Sequence, residues 1–140
     1  LLYFADKYNK LIPAQNEPAK RAQVLTWLFW QVGGTGPNFG QYYHFTKYAT
    51  DKIPYAIDRF KKESMRLFGV LEKHLAQGNK KFICNDDLSI ADIANYAWIK
   101  KMFEQEELTR EFNDMYPNVR RWVNQLSERK SFIEGMNICK

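Results

Sequence analysis

Residues 88–93 read Leu-Ser-Ile-Ala-Asp-Ile, and their order sets the fold class. Serine at 89 with aspartate three residues on is a capping box. The serine side chain serves an amide of the first turn, the aspartate reaches back to the cap, and Leu88 can staple onto Ile93. The device only starts helices. The residues after it, Ile93, Tyr96, Ala97 and Met102, continue at helical spacing. Asp92 reads as structural, and its loss is expected to cost on the order of 1 kcal/mol or more.

Outward from this box, the same period fills the chain. Toward the C-terminus, Tyr116-Pro117 opens a helix carrying Val119, Trp122, Val123 and Leu126, and a short last helix holds Phe132, Ile133 and Met136. Upstream, a long helix begins near Pro54, with Ile53, Ile57, Phe60, Leu67, Leu71 and Leu75 at three- and four-residue steps; Gly78 is placed to end it. Before that, Asn16 is positioned to cap a helix with Glu17 and Pro18 in its first turn. Ala22, Leu25, Leu28, Phe29 and Val32 form its apolar side, and Gly33-Gly34 is expected to weaken it. Gly36-Pro37 restarts a shorter piece containing Phe39, Tyr42, Tyr43 and Phe45. Leu1, Leu2, Phe4, Ala5 and Tyr8 make a first short helix that stops at Asn9, Lys10 and Pro13. Neither strand alternation nor an internal repeat is present. The expectation is an all-α bundle.

Composition narrows the class further. The 140 residues are 45% hydrophobic, 16% aromatic and 26% charged, which suits one folded domain and excludes disordered, collagen-like and disulfide-scaffold chains. The longest apolar run, Val24 to Trp30, is far short of the roughly 20 residues that span a bilayer, so no membrane role is expected. Leu1-Leu2 is followed at once by Asp6, Lys7 and Asn9, unlike a signal peptide. The net charge of +5 comes from scattered pairs such as Lys61-Lys62 and Arg120-Arg121, with acids nearby. Nucleic-acid binding is not expected. Cys84 and Cys139 lie too far apart for a zinc site or a staple, and a reducing, cytoplasmic setting is expected.

Few residues carry chemistry. His44 and His74 form no metal-ligand spacing and read as surface or interface histidines; no metal is expected. Cys84 precedes Asp86-Asp87, whose charges oppose a thiolate, so a cysteine hydrolase is rejected. Gly33-Gly34-Thr35-Gly36 lacks the strand and the lysine-hydroxyl pair of a phosphate loop. The aromatics Phe39, Tyr42, Tyr43, Phe45 and Tyr48 fit packing at a helix turn and the wall of an apolar cleft equally well. Arg59 sits between Ile57 and Phe60, bordering the apolar face. There it either snorkels past the core or grips an anion such as a carboxylate.

Several of these stretches resemble cytosolic glutathione transferases. LLYFADKYNKLIP (1–13) is similar to the end of their third helix and interdomain linker, LSIADI (88–93) to a capping-box helix start, and YPNVRRWVNQLSERKSF (116–132) to the closing helix, with Lys130 where proline is common. WLFWQVGGTGPNFGQYYHF (27–45) and IPYAIDRF (53–60) are more specific and resemble the Nu class, which includes disulfide-bond oxidoreductases. The similarity covers the whole chain. It implies the helical bundle of a glutathione transferase C-terminal domain over residues 13–140, with 1–12 as the tail of a thioredoxin-like domain's last helix plus linker.

The resemblance also implies roles. Arg59 stands where the family's arginine reaches bound glutathione, which overrides the snorkelling that the residues alone favour and implies an anion partner. Trp30, Asn38, Gln41, Tyr42 and Tyr43 become candidates for the second-substrate pocket, with Tyr42-Tyr43 departing from the Asn-His common in relatives. The implied chemistry uses glutathione as cosubstrate, its thiolate attacking a small-molecule electrophile or exchanging with a disulfide. The family's thiolate-holding domain, with its cis-proline and Glu-Ser pair, has no counterpart in these residues, so no catalytic residue is expected here. A homodimer is implied for the full-length protein, and self-association through exposed apolar surface for the fragment alone. An interaction or regulatory module without catalysis is the competing class.

Overall fold

The computed structural model describes residues 1–84, 87–105 and 114–138. Among them the regular elements are all helical. They are α1 (Leu2–Tyr8), α2 (Pro18–Trp30), a π-helical turn (Gln31–Thr35), α3 (Gly36–Tyr43), a second π-helical turn (His44–Tyr48), α4 (Pro54–Ala76), α5 (Ile90–Phe103), α6 (Pro117–Ser127) and α7 (Lys130–Asn137). The all-α class holds. Asp86 and Cys139, both weighed above for chemistry, lie outside the described residues.

The core gathers on α4. Its Leu67, Phe68, Leu71 and Leu75 are fully buried in one cluster with Ile90 and Ile99 of α5, Trp122 and Leu126 of α6, and Phe39 of α3. Phe68 is its aromatic centre, stacking on Phe39 at 5.2 Å and on Tyr116 at 5.3 Å, with Phe103 edge-on at 5.3 Å. Gly78, at φ +70°, takes the left-handed residue just past α4 that glycine adopts without strain, as its spacing predicts.

At Gly33-Gly34 the structure differs from expectation. The chain does not break there; α2 runs through the π-helical turn into α3. A π turn accommodates one extra residue by bonding five positions back, and the Gly36 amide donates to the Gln31 carbonyl in this way. A Cβ at Gly36 would lie 3.2 Å from the Gln31 carbonyl and 2.6 Å from the end of the Gln31 side chain, so glycine permits the tight turn by leaving space. The cap also shifts by one residue. Glu17, not Asn16, is the N-cap of α2, with no side-chain bond, and Pro18 removes one orphan amide by having no N–H.

The buried face of α2 differs too. Phe29 and Val32 are exposed, whereas Val24 is buried and Trp27 and Leu28 pack against the core. Apolar residues occupy more than one side of α2, and α5 takes the Val24–Trp27 side.

The box at residues 89–92 forms, with more partners than its spacing shows. Asp92, wholly buried, accepts the Ser89 amide (3.0 Å) and hydroxyl (2.9 Å), the Ile83 amide (2.9 Å) and Trp122 Nε1 (2.9 Å). It thereby ties the start of α5 to the 82–84 segment and to α6. A second tie joins α4 to α6. Glu72 accepts the Asn118 and Val119 amides at 2.9 Å each, capping α6 with a side chain from another helix.

Candidate functional site

On α4, Tyr55, Arg59, Lys62 and Arg66 recur at three- and four-residue steps and so share one face. That face and Asn38 of α3 enclose a groove of about 640 Å³. Two of its cations are already matched. Lys62 donates to Asp58 at 2.7 Å, and Arg66 grips Glu63 through Nε and Nη2, both at 2.8 Å. The Arg66 bond holds the Glu63 carboxyl below its ordinary value; partial burial opposes this, while the charges of Arg66 and Arg59 reinforce it. Arg59 itself is exposed and makes no hydrogen bond or ion pair among the described residues.

Asn38 lines the groove opposite, with Nδ2 donating to the Gly34 carbonyl at 2.9 Å. Phe60 lines it as well, backed by Phe45 stacked at 5.8 Å. An unmatched guanidinium, an amide and an aromatic wall suit a ligand bearing a carboxylate.

The other residues singled out above lie elsewhere. Trp30 is half-buried, edge-on to Trp27 at 5.0 Å. Gln41 is exposed, and Tyr42 is buried in the core cluster. Tyr43 meets Tyr48 edge-on at 5.3 Å, with Lys101 Nζ 4.8 Å from its ring centre. A hydrogen bond with Tyr43 pushes the Tyr48 phenol above its ordinary value. The aromatic cluster thus divides between core packing and separate surfaces. Arg59 and Asn38 are brought together; Trp30, Gln41, Tyr42 and Tyr43 do not line that groove. Tyr55 escaped notice in the sequence, although its position one turn before Arg59 was the available signal.

The histidines and Cys84 stand apart from this groove. His44 is exposed. His74 is half-buried, its Nε2–H donating to the Ile83 carbonyl at 2.6 Å and its ring 4.3 Å from Trp27. Burial lowers its pKa from 6.5, with the Lys80 charge adding to that and the Ile83 bond opposing it. Between the folded and unfolded values the unfolded chain binds the extra proton. Stability is therefore whole above pH 6.5 and falls as the pH drops below it. Thermal melts at pH 7.5 and 5.5 should show this loss, and His74→Gln should reduce it; an undiminished loss in the variant would assign it to other groups.

The Cys84 thiol is pushed up to about 12, chiefly by burial and secondarily by the charge of Asp92. It stays protonated at neutral pH, as expected, but the sequence-adjacent acids are not the main cause. Among the described residues no three His, Cys, Asp or Glu converge as metal ligands, and no helix is long and apolar enough to cross a membrane.

Residues 37–130 match the family described as glutathione S-transferase, C-terminal domain. The chain belongs to the glutathione S-transferase C-terminal domain family. The disulfide-bond oxidoreductase YfcG of Escherichia coli is 41% identical over 130 residues, covering 92% of this chain and 56% of that protein. A glutathione transferase from Burkholderia graminis, solved with two glutathione molecules bound per subunit, superposes with a TM-score of 0.90 at 35% identity, over 100% of this chain and 58% of that one. One from Pseudomonas putida, solved with one glutathione disulfide per subunit, gives 0.88 at 34%, over 100% and 60%. The chain thus spans somewhat more than half the length of these glutathione transferase relatives. The α3/α4 groove lies within the matched residues.

Proposed function

We propose that this chain is the substrate-side helical domain of a glutathione-dependent enzyme and that Arg59 binds a carboxylate of glutathione in the α3/α4 groove. The observation that carries this is the unmatched Arg59 guanidinium, flanked by two cations that already hold carboxylates. A guanidinium grips a carboxylate with two parallel hydrogen bonds, and glutathione carries two carboxylates. The glutathione bound in one similar transferase and the glutathione disulfide bound in another support a ligand of this kind.

In this reading the reaction is attack of the glutathione thiolate on an electrophile, or its exchange with a disulfide, releasing the other sulfur as thiolate. The thiolate is held by a thioredoxin-like domain outside residues 1–140, and residues 1–12 are the end of its last helix and the linker. The exposed Tyr3, Phe4 and Tyr8 of α1 suit that arrangement, since they offer an apolar face for such a domain to cover. Trp30, Gln41 and Tyr43 belong to the second-substrate side, whereas Tyr42 packs in the core; the protein is a homodimer, and its setting is cytoplasmic. Calorimetric titration of the full-length protein checks the central role: Arg59→Ala should weaken glutathione binding by about 1–3 kcal/mol. Unchanged affinity in that variant would remove Arg59 from the site.

A further inference from the structure

On the reading that Arg59 holds the ligand's carboxylate, we propose that Asn38 is a specificity-determining residue of the same groove, its Oδ1 accepting an N–H of the ligand. The orientation of the Asn38 amide is set by its partner. Nδ2 lies 2.9 Å from the Gly34 carbonyl, which can only accept, so nitrogen is the end turned to the backbone and oxygen the end turned away. Oδ1 accepts no hydrogen bond among the described residues, yet it is not one of their buried unpartnered atoms. It is therefore open to the groove that Asn38 lines.

The tie to Gly34 anchors Asn38 to the π-helical turn, so the acceptor is held in place before any ligand arrives. Across the groove, Lys62 and Arg66 are occupied by Asp58 and Glu63, which leaves Arg59 as the groove's cation with no hydrogen-bonded carboxylate among the described residues. A fixed acceptor facing that cation selects a ligand with both an anion and an N–H. That is the chemistry of a small peptide, and it discriminates against plain dicarboxylates and apolar electrophiles. Glutathione offers such an N–H from two sources, its peptide amides and its α-ammonium.

The test is calorimetric titration of the full-length protein, with this chain unsubstituted or carrying Asn38→Ser, Asn38→Thr or Arg59→Ala, with glutathione and two analogues. One analogue is methylated on both peptide nitrogens; the other lacks the α-amino group. A hydroxyl at position 38 preserves the backbone tie by donating to the carbonyl four residues back, as Thr26 and Thr46 do here, both at 2.8 Å, while withdrawing the acceptor from the groove. Asn38→Ser and Asn38→Thr should raise the glutathione Kd about three- to tenfold. They should also lose the discrimination that the unsubstituted protein shows against one analogue, and that analogue identifies the N–H.

A glutathione Kd unchanged in both Asn38 variants, with Arg59→Ala weakened, overturns the role of Asn38 and leaves that of Arg59 standing. Equal binding of glutathione and both analogues by the unsubstituted protein also overturns it. An unchanged Kd in Arg59→Ala overturns both readings.

Discussion

Asp92→Ala lowers the unfolding free energy by about 3–5 kcal/mol, measured by urea denaturation. The carboxylate is wholly buried and accepts four bonds, from the Ile83 amide, the Ser89 amide and hydroxyl, and Trp122 Nε1, at 2.9–3.0 Å. Truncation strands these donors away from water, each at about 1–3 kcal/mol. The sum is reduced because the buried charge is itself unfavourable: burial raises the Asp92 pKa against the pull of its hydrogen bonds. The cavity left among Ile83, Ser89 and Trp122 adds to the loss. Asp92→Asn keeps an acceptor and removes the charge, so it should lose less than Asp92→Ala. A loss below about 1 kcal/mol for Asp92→Ala would mean that the box is a local cap only, the magnitude expected from residues 88–93 alone.

Glu72→Ala ranks next, at about 2–3 kcal/mol in the same assay. Its carboxylate accepts the Asn118 and Val119 amides at 2.9 Å each and Asn118 Nδ2 at 2.5 Å. Pro117 at the first helical position has no N–H, so Glu72 serves the next two amides of α6, where the helix dipole also favours a negative charge. Glu72→Gln should retain part of the stability through its remaining acceptor. Equal losses in the two variants would show that the amide oxygen cannot replace the carboxylate, and no loss in either would deny the cap.

Both effects show how far the sequence reaches. The Ser89–Asp92 pair is legible because its partners lie three residues apart, and the local spacing states the contact. Trp122 and Glu72 carry no such signal. Their partners are 30 and 46 residues away, and only the packing of α6 on α4 and α5 brings them within reach. Position also explains the uneven legibility of the groove. Arg59 stands out because a charge borders the apolar stripe of α4. What the stripe alone does not show is which neighbouring cations are already taken, Lys62 by Asp58 and Arg66 by Glu63, since Glu63 is within helical reach of both Arg59 and Arg66.

The aromatics at 39–48 could not be assigned from sequence, because a π-helical turn at each end of α3 shifts which residues share a face. Phe39 and Tyr42 are buried in the core, Phe45 backs the groove through Phe60, and Tyr43 pairs with Tyr48. Likewise, the apolar Phe29 and Val32 misled the assignment of the α2 core face, since hydrophobicity alone does not say which side another helix will cover.

Glutathione titrated into the ¹⁵N-labelled protein tests the groove directly. Amide shift changes are expected to concentrate at Asn38, Tyr55, Arg59 and Phe60, and to collapse in Arg59→Ala. Shift changes centred elsewhere, as in the separate cavity between Leu11, Val24 and Cys84, or a pattern unchanged in Arg59→Ala, would contradict binding in this groove.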